Sequence, residues 1–319
     1  MTQGLPAALK AALERELEGV GRKDLAARAA RTSQAYRAGA ASGGVIRDAA
    51  DALAYALTRL PATYAACAAV FAQAQARAPG FSPASLLDAG AGTGAASWAA
   101  AQAWPGLSAI TWLDSNPVFL TLAGRLADGA LAASPLRGDL VGAGELPRAE
   151  LVVASYALAE IVPARQGEVI DRLWTACAGM LALVEPGTPA GFERLRAART
   201  RLIAAGAAIL APCPHQDACP MSAPDWCHVT VRLPRSRDHK AAKGAQVPFE
   251  DEPYAYLLAA RPNIGAPAAA RLVAHPRETK PQIALTLCTP TGLERRLVAR
   301  RDKAAYATAR RLRWGDGLD

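Results

Sequence analysis

A glycine-rich turn that follows a short apolar run constrains this chain more than any other stretch. Residues 86–88, Leu-Leu-Asp, end a predicted buried strand, and three glycines follow at alternate positions, Gly90, Gly92 and Gly94. Glycine adopts positive φ without strain and lets a ligand approach the backbone closely. A helix that begins at such a turn offers its N-terminus to an anion or an adenosine group. The stretch therefore predicts a strand, a turn and a helix around a ligand site.

The spacing of these glycines distinguishes the turn from other nucleotide-binding loops. It reads G-x-G-x-G after an acid, whereas dinucleotide-binding turns read G-x-G-x-x-G and phosphate loops end in Gly-Lys-Ser/Thr. It resembles the first motif of the class I S-adenosylmethionine-dependent methyltransferases. The alternative interpretation is a glycine turn with only a structural role.

Residues 83–190 alternate between short apolar runs and helical stretches, which is the pattern of a parallel α/β sheet. The predicted fold class is α/β, with a class I methyltransferase Rossmann-like sheet. The carboxyl ends of such strands meet at one sheet edge, where open α/β sheets bind ligands. The predicted strands lie at 85–88, 109–113, just before 137–140, 149–156 and 179–185.

The residues at these strand ends are candidates for binding S-adenosylmethionine. Asp114 ends the second strand about 20 residues after the glycines, where a carboxylate can accept hydrogen bonds from both ribose hydroxyls. Asp139, at the end of the third strand, is predicted to meet the adenine amino group. The full candidate set is Asp88, Gly90, Gly92, Gly94, Asp114, Ser115, Asp139, Leu140, Ser155 and Tyr156.

The sequence shows no clear site for a methyl acceptor. Enzymes that methylate amino nitrogens often carry Asn/Asp-Pro-Pro-Tyr/Phe after the fourth strand, but residues 155–158 read Ser-Tyr-Ala-Leu. Methylation of pyrimidine C5 needs a nucleophilic cysteine near a strand end, and Cys177 lies in a helical pattern before the fifth strand. No catalytic residue is therefore predicted, and a fold that binds the cofactor without transferring a methyl group stays open.

The N-terminal region is predicted to be helical. Leucines recur every four residues from Leu5 to Leu17, as on one face of a helix, and small residues break the pattern at 39–44. Pro61 lies inside a second long helical pattern, where a proline can kink or restart a helix. These residues carry charges near the start, unlike a secretory signal.

The chain is predicted to divide into three regions. They are an N-terminal helical region at 1–79, an S-adenosylmethionine-binding core at 80–205, and a Cys-rich and basic region at 206–319. Late strands at about 282–300 are expected to complete the sheet. Residues 249–257 switch from acidic to aromatic, which predicts a helix start in which Tyr254 and Leu257 pack together.

Three cysteines spaced C-x5-C-x7-C, Cys213, Cys219 and Cys227, lie in a proline-rich stretch with little else to stabilise it. Without a secretory signal, disulfides are not expected, whereas a metal would stabilise such a loop. An iron–sulfur cluster would need a fourth thiolate, for which Cys288 is the candidate. The alternatives are a zinc site completed by His215 or His228, and reduced structural cysteines.

The formal net charge of +8 and the isoelectric point of about 9.4 favour an anionic partner. Dense basic residues after Cys227 and near the C-terminus are suited to phosphate contacts, or alternatively form a solvated helix face. The candidate RNA-binding residues are Arg232, Arg235, Arg237, Lys240, Lys243, Arg295, Arg296, Arg300 and Arg301.

Several shorter motifs, together with the glycine turn and the cysteine spacing, carry a resemblance to a known family. They lie at 60–64, 185–189, 234–236, 249–252 and 313–316. From about Tyr36 to Asp316 the chain resembles the methyltransferase-like proteins associated with the small ribosomal subunit of bacteria and mitochondria.

This resemblance implies a class I methyltransferase fold and a four-iron [4Fe-4S] cluster held by Cys213, Cys219, Cys227 and Cys288. It also implies binding to 16S-type ribosomal RNA of the small subunit, in assembly or maturation for translation. The expected location is the bacterial cytoplasm, or the mitochondrial matrix in a eukaryote. The resemblance leaves methyl transfer itself open.

The leading hypothesis is therefore a ribosome-associated RNA-binding protein with a methyltransferase fold and a structural cluster. The alternative is an active S-adenosylmethionine-dependent rRNA methyltransferase with a zinc- or cluster-stabilised substrate platform. A radical enzyme is disfavoured because its C-x3-C-x2-C spacing is absent and four thiolates leave no open iron. No apolar run approaches the roughly 18 residues of a membrane span, and we expect a monomer when the protein is off the ribosome.

Overall fold

The structure is a computed structural model that describes residues 4–37, 42–142 and 144–319, with only the backbone described at residues 36 and 37. The predicted break at 39–44 therefore lies partly outside the described residues. The described helices are α1 (Ala7–Leu17), α2 (Arg22–Arg37), α3 (Ser42–Val45), α4 (Ala49–Arg77), α5 (Ala95–Ala103), α6 (Pro117–Ala127), α7 (Pro163–Ala176), α8 (Pro189–Ala204), α9 (Arg237–Lys243) and α10 (Lys303–Ala309).

The strands form two sheets, and one helical turn of the 3-10 type, Leu158–Glu160, follows the fourth strand. The described strands are β1 (Ser85–Ala89), β2 (Ala109–Asp114), β3 (Ala133–Arg137), β4 (Ala149–Ser155), β5 (Cys177–Pro186), β6 (Ala208–Ala211), β7 (Val229–Pro234), β8 (Phe249–Ala260), β9 (Ala270–Leu272), β10 (Arg277–Glu278), β11 (Gln282–Thr289), β12 (Gly292–Ala299) and β13 (Gly317–Leu318).

The larger sheet has the strand order β3-β2-β1-β4-β5-β8-β6, with β7 also paired to β8. Strands β1 to β5 are parallel, whereas β8 runs antiparallel to β5 and to both β6 and β7. This is an α/β, class I methyltransferase-like Rossmann fold with a mixed sheet, so this part of the predicted fold class and the five parallel strands are confirmed. The metal-binding insert that was also predicted is not supported, because the described residues contain no group placed to hold a metal ion. Cys177 begins β5 rather than lying in the helix before it.

Helices cover both faces of this sheet. On one face, Leu60 and Phe71 of α4 pack in the same core as Leu86 and Leu151. Helix α4 continues through Pro61, so of the two predicted effects of this proline, a kink or a restart, the helix does not restart there. The N-terminal helices share a core with the sheet. None of the helices in the described ranges combines the length and apolar character that crossing a membrane requires.

The late strands do not complete the larger sheet, so that prediction is wrong. Strands β11 and β12 pair with each other, and with β9, β10 and β13 they build a second, antiparallel sheet. The position beside β5 is taken by β8, in which every residue from Tyr254 to Ala260 is buried. Only a strand that is apolar on both faces fits there, whereas β11 alternates between buried and more exposed residues over most of its length.

The helix predicted to start within residues 249–257 is also wrong, because these residues belong to β8. The acids there are not helix-start residues. Glu250 and Asp251 instead face basic side chains of β7 and α9 across the strand pair. The pairing depends on residues distant in sequence, which the local acidic-to-aromatic pattern could not reveal.

Candidate functional site

The glycine turn after β1 is built as the spacing predicts. Gly90, Gly92 and Gly94 have φ of 78°, 53° and 79°, a region that favours glycine. The Gly90 N–H donates to the Leu113 carbonyl at 2.8 Å. A Cβ at Gly90 would lie only 2.7 Å from the Ala157 Cβ, so only glycine fits between β2 and the turn after β4.

Asp114 is tied to this turn. One carboxylate oxygen, Oδ2, accepts the Gly92 N–H at 2.8 Å, and Oδ1 accepts the Asn116 N–H at 2.8 Å. The side chain is buried, and burial raises its pKa. The arrangement holds a carboxylate at the carboxyl end of β2, where it can accept hydrogen bonds from a ligand's hydroxyls.

A cleft of about 590 Å³ lies at the carboxyl ends of the parallel strands. The structure brings eight of the ten candidate cofactor-binding residues to its wall. These are Gly90, Gly92, Asp114, Ser115, Asp139, Leu140, Ser155 and Tyr156.

Sequence reasoning missed the opposite wall of this cleft. Tyr55 of α4 and Phe119 of α6 line it with ring centroids 4.9 Å apart, and Glu160 accepts the Ser42 N–H at 2.8 Å. The two rings offer an apolar surface to a flat ligand group. No local motif marks these residues, because helices distant in sequence bring them together.

Asp88 and Gly94 do not line the cleft. Asp88 is fully buried, and its Oδ2 accepts the Ser97 hydroxyl at 2.7 Å and the Ser97 N–H at 3.1 Å. Gly94 packs against the Trp112 ring. Both residues therefore hold the start of α5 in place and support the turn from behind.

The buried Asp88 carboxyl makes stability depend on pH. Burial raises its pKa to about 6, above its ordinary 3.8, so the folded chain binds more protons than the unfolded chain between about pH 4 and 6. Stability from this group is therefore present at low pH and falls as pH rises through that window, by about 3 kcal/mol. We expect Asp88→Asn to remove this fall, measured as urea unfolding free energies at several pH values.

Asp171→Asn is the matched control. Asp171 pairs with Arg201 at the surface, which lowers its pKa, so its contribution has the opposite sign and is lost as pH falls. An Asp88→Asn protein that keeps the wild-type slope between pH 4 and 6 would contradict the raised pKa.

The turn after β4 places a hydrogen-bonded tyrosine, Tyr156, at the wall of this cleft. Tyr156 has a positive φ of 57°, and its hydroxyl donates to Glu252 Oε1 at 3.1 Å. Arg59 Nη2 lies 3.2 Å from the same oxygen. Glu252 is buried, so the three side chains form a closed polar network rather than an open acceptor turn.

The four cysteines proposed as metal ligands line a second cleft, of about 770 Å³, between α8, β8, β9 and β11. Burial raises the pKa of the Cys213, Cys227 and Cys288 thiols. The pKa of Cys227 is raised further by the other three thiols of the cleft, Cys213, Cys219 and Cys288, because a negative charge on a neighbouring sulfur opposes the ionisation of Cys227. The structure thus brings Cys288 to the predicted loop, while Cys67 and Cys177 are buried elsewhere in the core.

This geometry shows neither a zinc site nor an iron–sulfur site. Among the described residues, no group of three or more His, Cys, Asp or Glu side chains is placed to hold a metal ion. His215 Nε2 lies 3.6 Å from Cys288 Sγ, but His228 stacks on Trp226 at 5.0 Å. Four cysteine thiolates lining one cleft are the type of donor that holds an iron–sulfur cluster.

Six of the nine candidate RNA-binding residues fall into two groups. Arg232, Arg235 and Lys243 already pair with carboxylates, Arg232 with Asp251 at 2.7 Å and Lys243 with Glu250 at 2.6 Å. In contrast, three exposed arginines on or just after β12 have no ion pair within the described part of the chain. They are Arg295, Arg300 and Arg301.

The remaining candidates differ in their surroundings. Arg296 is exposed and pairs with Glu294 at 2.9 Å, two residues away on the same strand. Arg237 and Lys240 lie on α9. The helix-face alternative is wrong for Arg295 and Arg296, because both belong to a strand.

Comparison with known proteins gives one family and a few relatives. A family model described as mitochondrial small ribosomal subunit Rsm22 matches residues 49–319. The human protein named "Ribosome assembly protein METTL17, mitochondrial" is 30% identical over 295 residues, covering 83% of this chain and 62% of its own length. The Schizosaccharomyces pombe "Rsm22-cox11 tandem protein 2, mitochondrial" is 23% identical over 284 residues, covering 72% of this chain and 38% of its own length. The chain thus spans less than two thirds of either relative.

Solved structures with a similar chain path include two methyltransferases. Magnesium protoporphyrin IX methyltransferase from Synechocystis PCC 6803, with bound SAH, has a TM-score of 0.42 at 17% identity, covering 63% of this chain and 83% of that chain. Precorrin-6y C5,15-methyltransferase from Geobacter metallireducens has a TM-score of 0.40 at 17% identity, covering 61% and 85%.

Proposed function

This chain belongs to the mitochondrial small ribosomal subunit Rsm22 family, and on that premise we propose that it is an assembly factor that binds the ribosomal RNA of the small subunit. The observation that carries the proposal is the family match, which spans both clefts and the second sheet. The human relative's name, a ribosome assembly protein, supports the same role. Off the ribosome the protein would be a monomer.

The cysteine cleft would hold a structural [4Fe-4S] cluster. Cys213, Cys219 and Cys227 lie in one loop and Cys288 in β11, so a cluster bound to all four would join that loop to the second sheet. The loop contains few apolar side chains, and a bound metal group supplies the stability that packing does not. The cluster would therefore keep the second sheet and its arginines in a fixed position relative to the Rossmann core.

The cleft at the strand ends would bind S-adenosylmethionine. Asp114 would hold the ribose hydroxyls and Asp139 would meet the adenine amino group, with the glycine turn beneath. When bound, this cofactor can supply a methyl group. The chain's own residues would bind and orient it, and Tyr156, whose hydroxyl donates to Glu252, would close the side from which a methyl acceptor approaches.

A second candidate function is methyl transfer to ribosomal RNA, because the cleft and its strand-end carboxylates are intact. Incubating the protein with radiolabelled S-adenosylmethionine and immature small-subunit RNA separates the two functions. Incorporation that Gly92→Arg abolishes would establish the enzyme. Cofactor binding without incorporation would support the assembly role alone.

The proposed location is the mitochondrial matrix. This location is supported by the names of both relatives, which describe them as mitochondrial. Nothing in those names supports the bacterial cytoplasm, which the sequence alone also left open.

The proposed function is tested by gradient sedimentation of the anaerobically purified chain with mature and immature small subunits. We expect co-sedimentation with the immature subunit in preference to the mature one. A chain that remains at the top of the gradient with both would contradict the proposal.

Exposed arginines of the second sheet are expected to supply the RNA contacts. The triple variant Arg295→Gln, Arg300→Gln, Arg301→Gln should weaken binding to small-subunit RNA and reduce the slope of log affinity against log salt by about 2–3. The measurement is a fluorescence titration at several salt concentrations.

The matched control changes three exposed arginines that pair with acids elsewhere, Arg125→Gln, Arg165→Gln and Arg201→Gln. It removes the same charge but should leave the salt slope near the wild-type value. Equal slopes for the two triple variants would show that net charge, and not this surface, governs binding.

A further inference from the structure

Two buried arginines line the cysteine cleft. Arg199 of α8 and Arg271 of β9 are 4% and 2% exposed, and both contribute to the same cleft wall as the four cysteines. Neither pairs with a carboxylate within residues 4–37, 42–142 and 144–319. They are therefore two buried positive charges that form no ion pair among those residues.

Backbone carbonyls hold both guanidinium groups in fixed orientations. Arg199 Nη2 donates to the His215 carbonyl at 2.7 Å, and Arg271 Nε donates to the Pro212 carbonyl at 2.8 Å. Arg271 Nη1 also donates to the Gly315 carbonyl at 2.7 Å and to Gln73 Oε1 at 2.6 Å. Both arginines thus bind carbonyls close to Cys213, at the start of the cysteine loop.

Each guanidinium keeps a nitrogen that no protein atom accepts. Arg199 Nε and Arg271 Nη2 are buried and have no hydrogen-bond partner among the described residues. A buried donor without an acceptor is costly, and a buried charge without a counter-charge costs more. Such groups are expected to face an anion that occupies the cleft.

We propose that Arg199 and Arg271 are positioning residues for the cluster, which neutralise its charge, donate N–H groups to its sulfur atoms and so raise its reduction potential. This inference rests on the cluster of the proposed function. Four thiolates around an oxidised core of two positive charges leave two net negative charges, which two guanidinium groups match. Net charge and hydrogen bonds to sulfur are the factors by which a protein sets a cluster's potential.

The test compares reduction potentials in the full chain, purified anaerobically, by titration with dithionite while the cluster signal is followed. Reduction adds one electron from dithionite and one negative charge to the cluster, so loss of a nearby positive charge disfavours it. We expect Arg199→Gln to disfavour the reduced state at least tenfold, a shift of about 59 mV to lower potential for one electron. Arg199→Lys, which keeps the positive charge, should shift the reduction potential less.

Arg261→Gln is the matched control. Arg261 also donates to backbone carbonyls, those of Cys177 and Trp174, and it stacks on the Trp174 ring, but it does not line the cleft. A purely structural role for Arg199 would lower thermal stability in both glutamine variants and leave both potentials unchanged, and this result would overturn the inference. If the folded Arg199→Gln chain lacks the cluster while the Arg199→Lys chain retains it, the result supports neutralisation of the cluster's negative charge by residue 199.

Iron and sulfide assays of the unmodified chain separate the two possible failures. If the wild-type chain carries neither, the proposed cluster itself is wrong. If it carries both and the potentials of Arg199→Gln and Arg271→Gln equal that of the wild type, only the role of the arginines is wrong.

Discussion

Replacing Cys227 with serine is expected to abolish iron and sulfide binding and, with it, most of the affinity for the immature small subunit. Cys227 lines the same cleft as the other three candidate cysteine ligands. A serine hydroxyl does not ionise at neutral pH and is a poor ligand for iron. We expect a loss beyond the about 10–100-fold that removing an outer partner of a metal ligand costs. Iron and sulfide assays with gradient sedimentation measure both effects.

Cys67→Ala is the matched control, because it also removes one thiol but outside the cysteine cleft. Cys67 is fully buried in the core formed by α4 and the sheet, away from the cysteine cleft. This variant should lose some stability and keep its iron, sulfide and binding. Wild-type iron content in Cys227→Ser would refute the cluster. An iron-free Cys227→Ser chain that still co-sediments would show that binding does not need it.

Gly92→Arg is expected to abolish S-adenosylmethionine binding, with a loss of more than about 100-fold, or about 2.7 kcal/mol. Gly92 lines the strand-end cleft, and a Cβ there would meet no atom within 4 Å. The arginine side chain would therefore extend into the cleft instead of colliding with the core. Its positive φ of 53° adds a backbone penalty of about 1–2 kcal/mol. Isothermal titration with S-adenosylmethionine measures the loss.

Gly129→Arg separates the blocked cleft from the strained backbone. Gly129 is exposed, has φ of 75° and likewise has no atom within 4 Å of an added Cβ, but it does not line the cleft. It should lose similar stability and bind the cofactor normally. Equal binding by both glycine variants would contradict the assignment of the cleft.

Much of the strand-end cleft could be predicted from the sequence, because the residues that form its floor lie close together in the chain. The glycine turn and Asp114 follow directly from strands whose apolar runs mark their ends, and parallel strands bring those ends to one edge. Asp88 belongs to the same motif yet lies behind the turn, since its side chain bonds to Ser97 instead of facing the cleft. A motif therefore located the site without determining which way each side chain points.

The predictions that were wrong concern parts of the fold that depend on contacts between residues distant in the chain. The acids at 249–252 have the local pattern of a helix start. The residues after them are buried on both faces, however, and form the strand that pairs with β5. The late strands had the right secondary structure and the wrong sheet. Tyr55, Phe119 and the two arginines of the cysteine cleft belong to no motif and were not predicted.

The sequence by itself determined the Rossmann core, the glycine turn and the four cysteines, because apolar periodicity, glycine conformation and thiol chemistry are properties of short stretches. Only the tertiary structure decided which strand lies beside β5, which basic residues remain free of carboxylates, and that two buried guanidinium groups face the cysteines. Those features arise from pairing and burial between distant segments, where the loss of water contacts makes each unpaired charge costly.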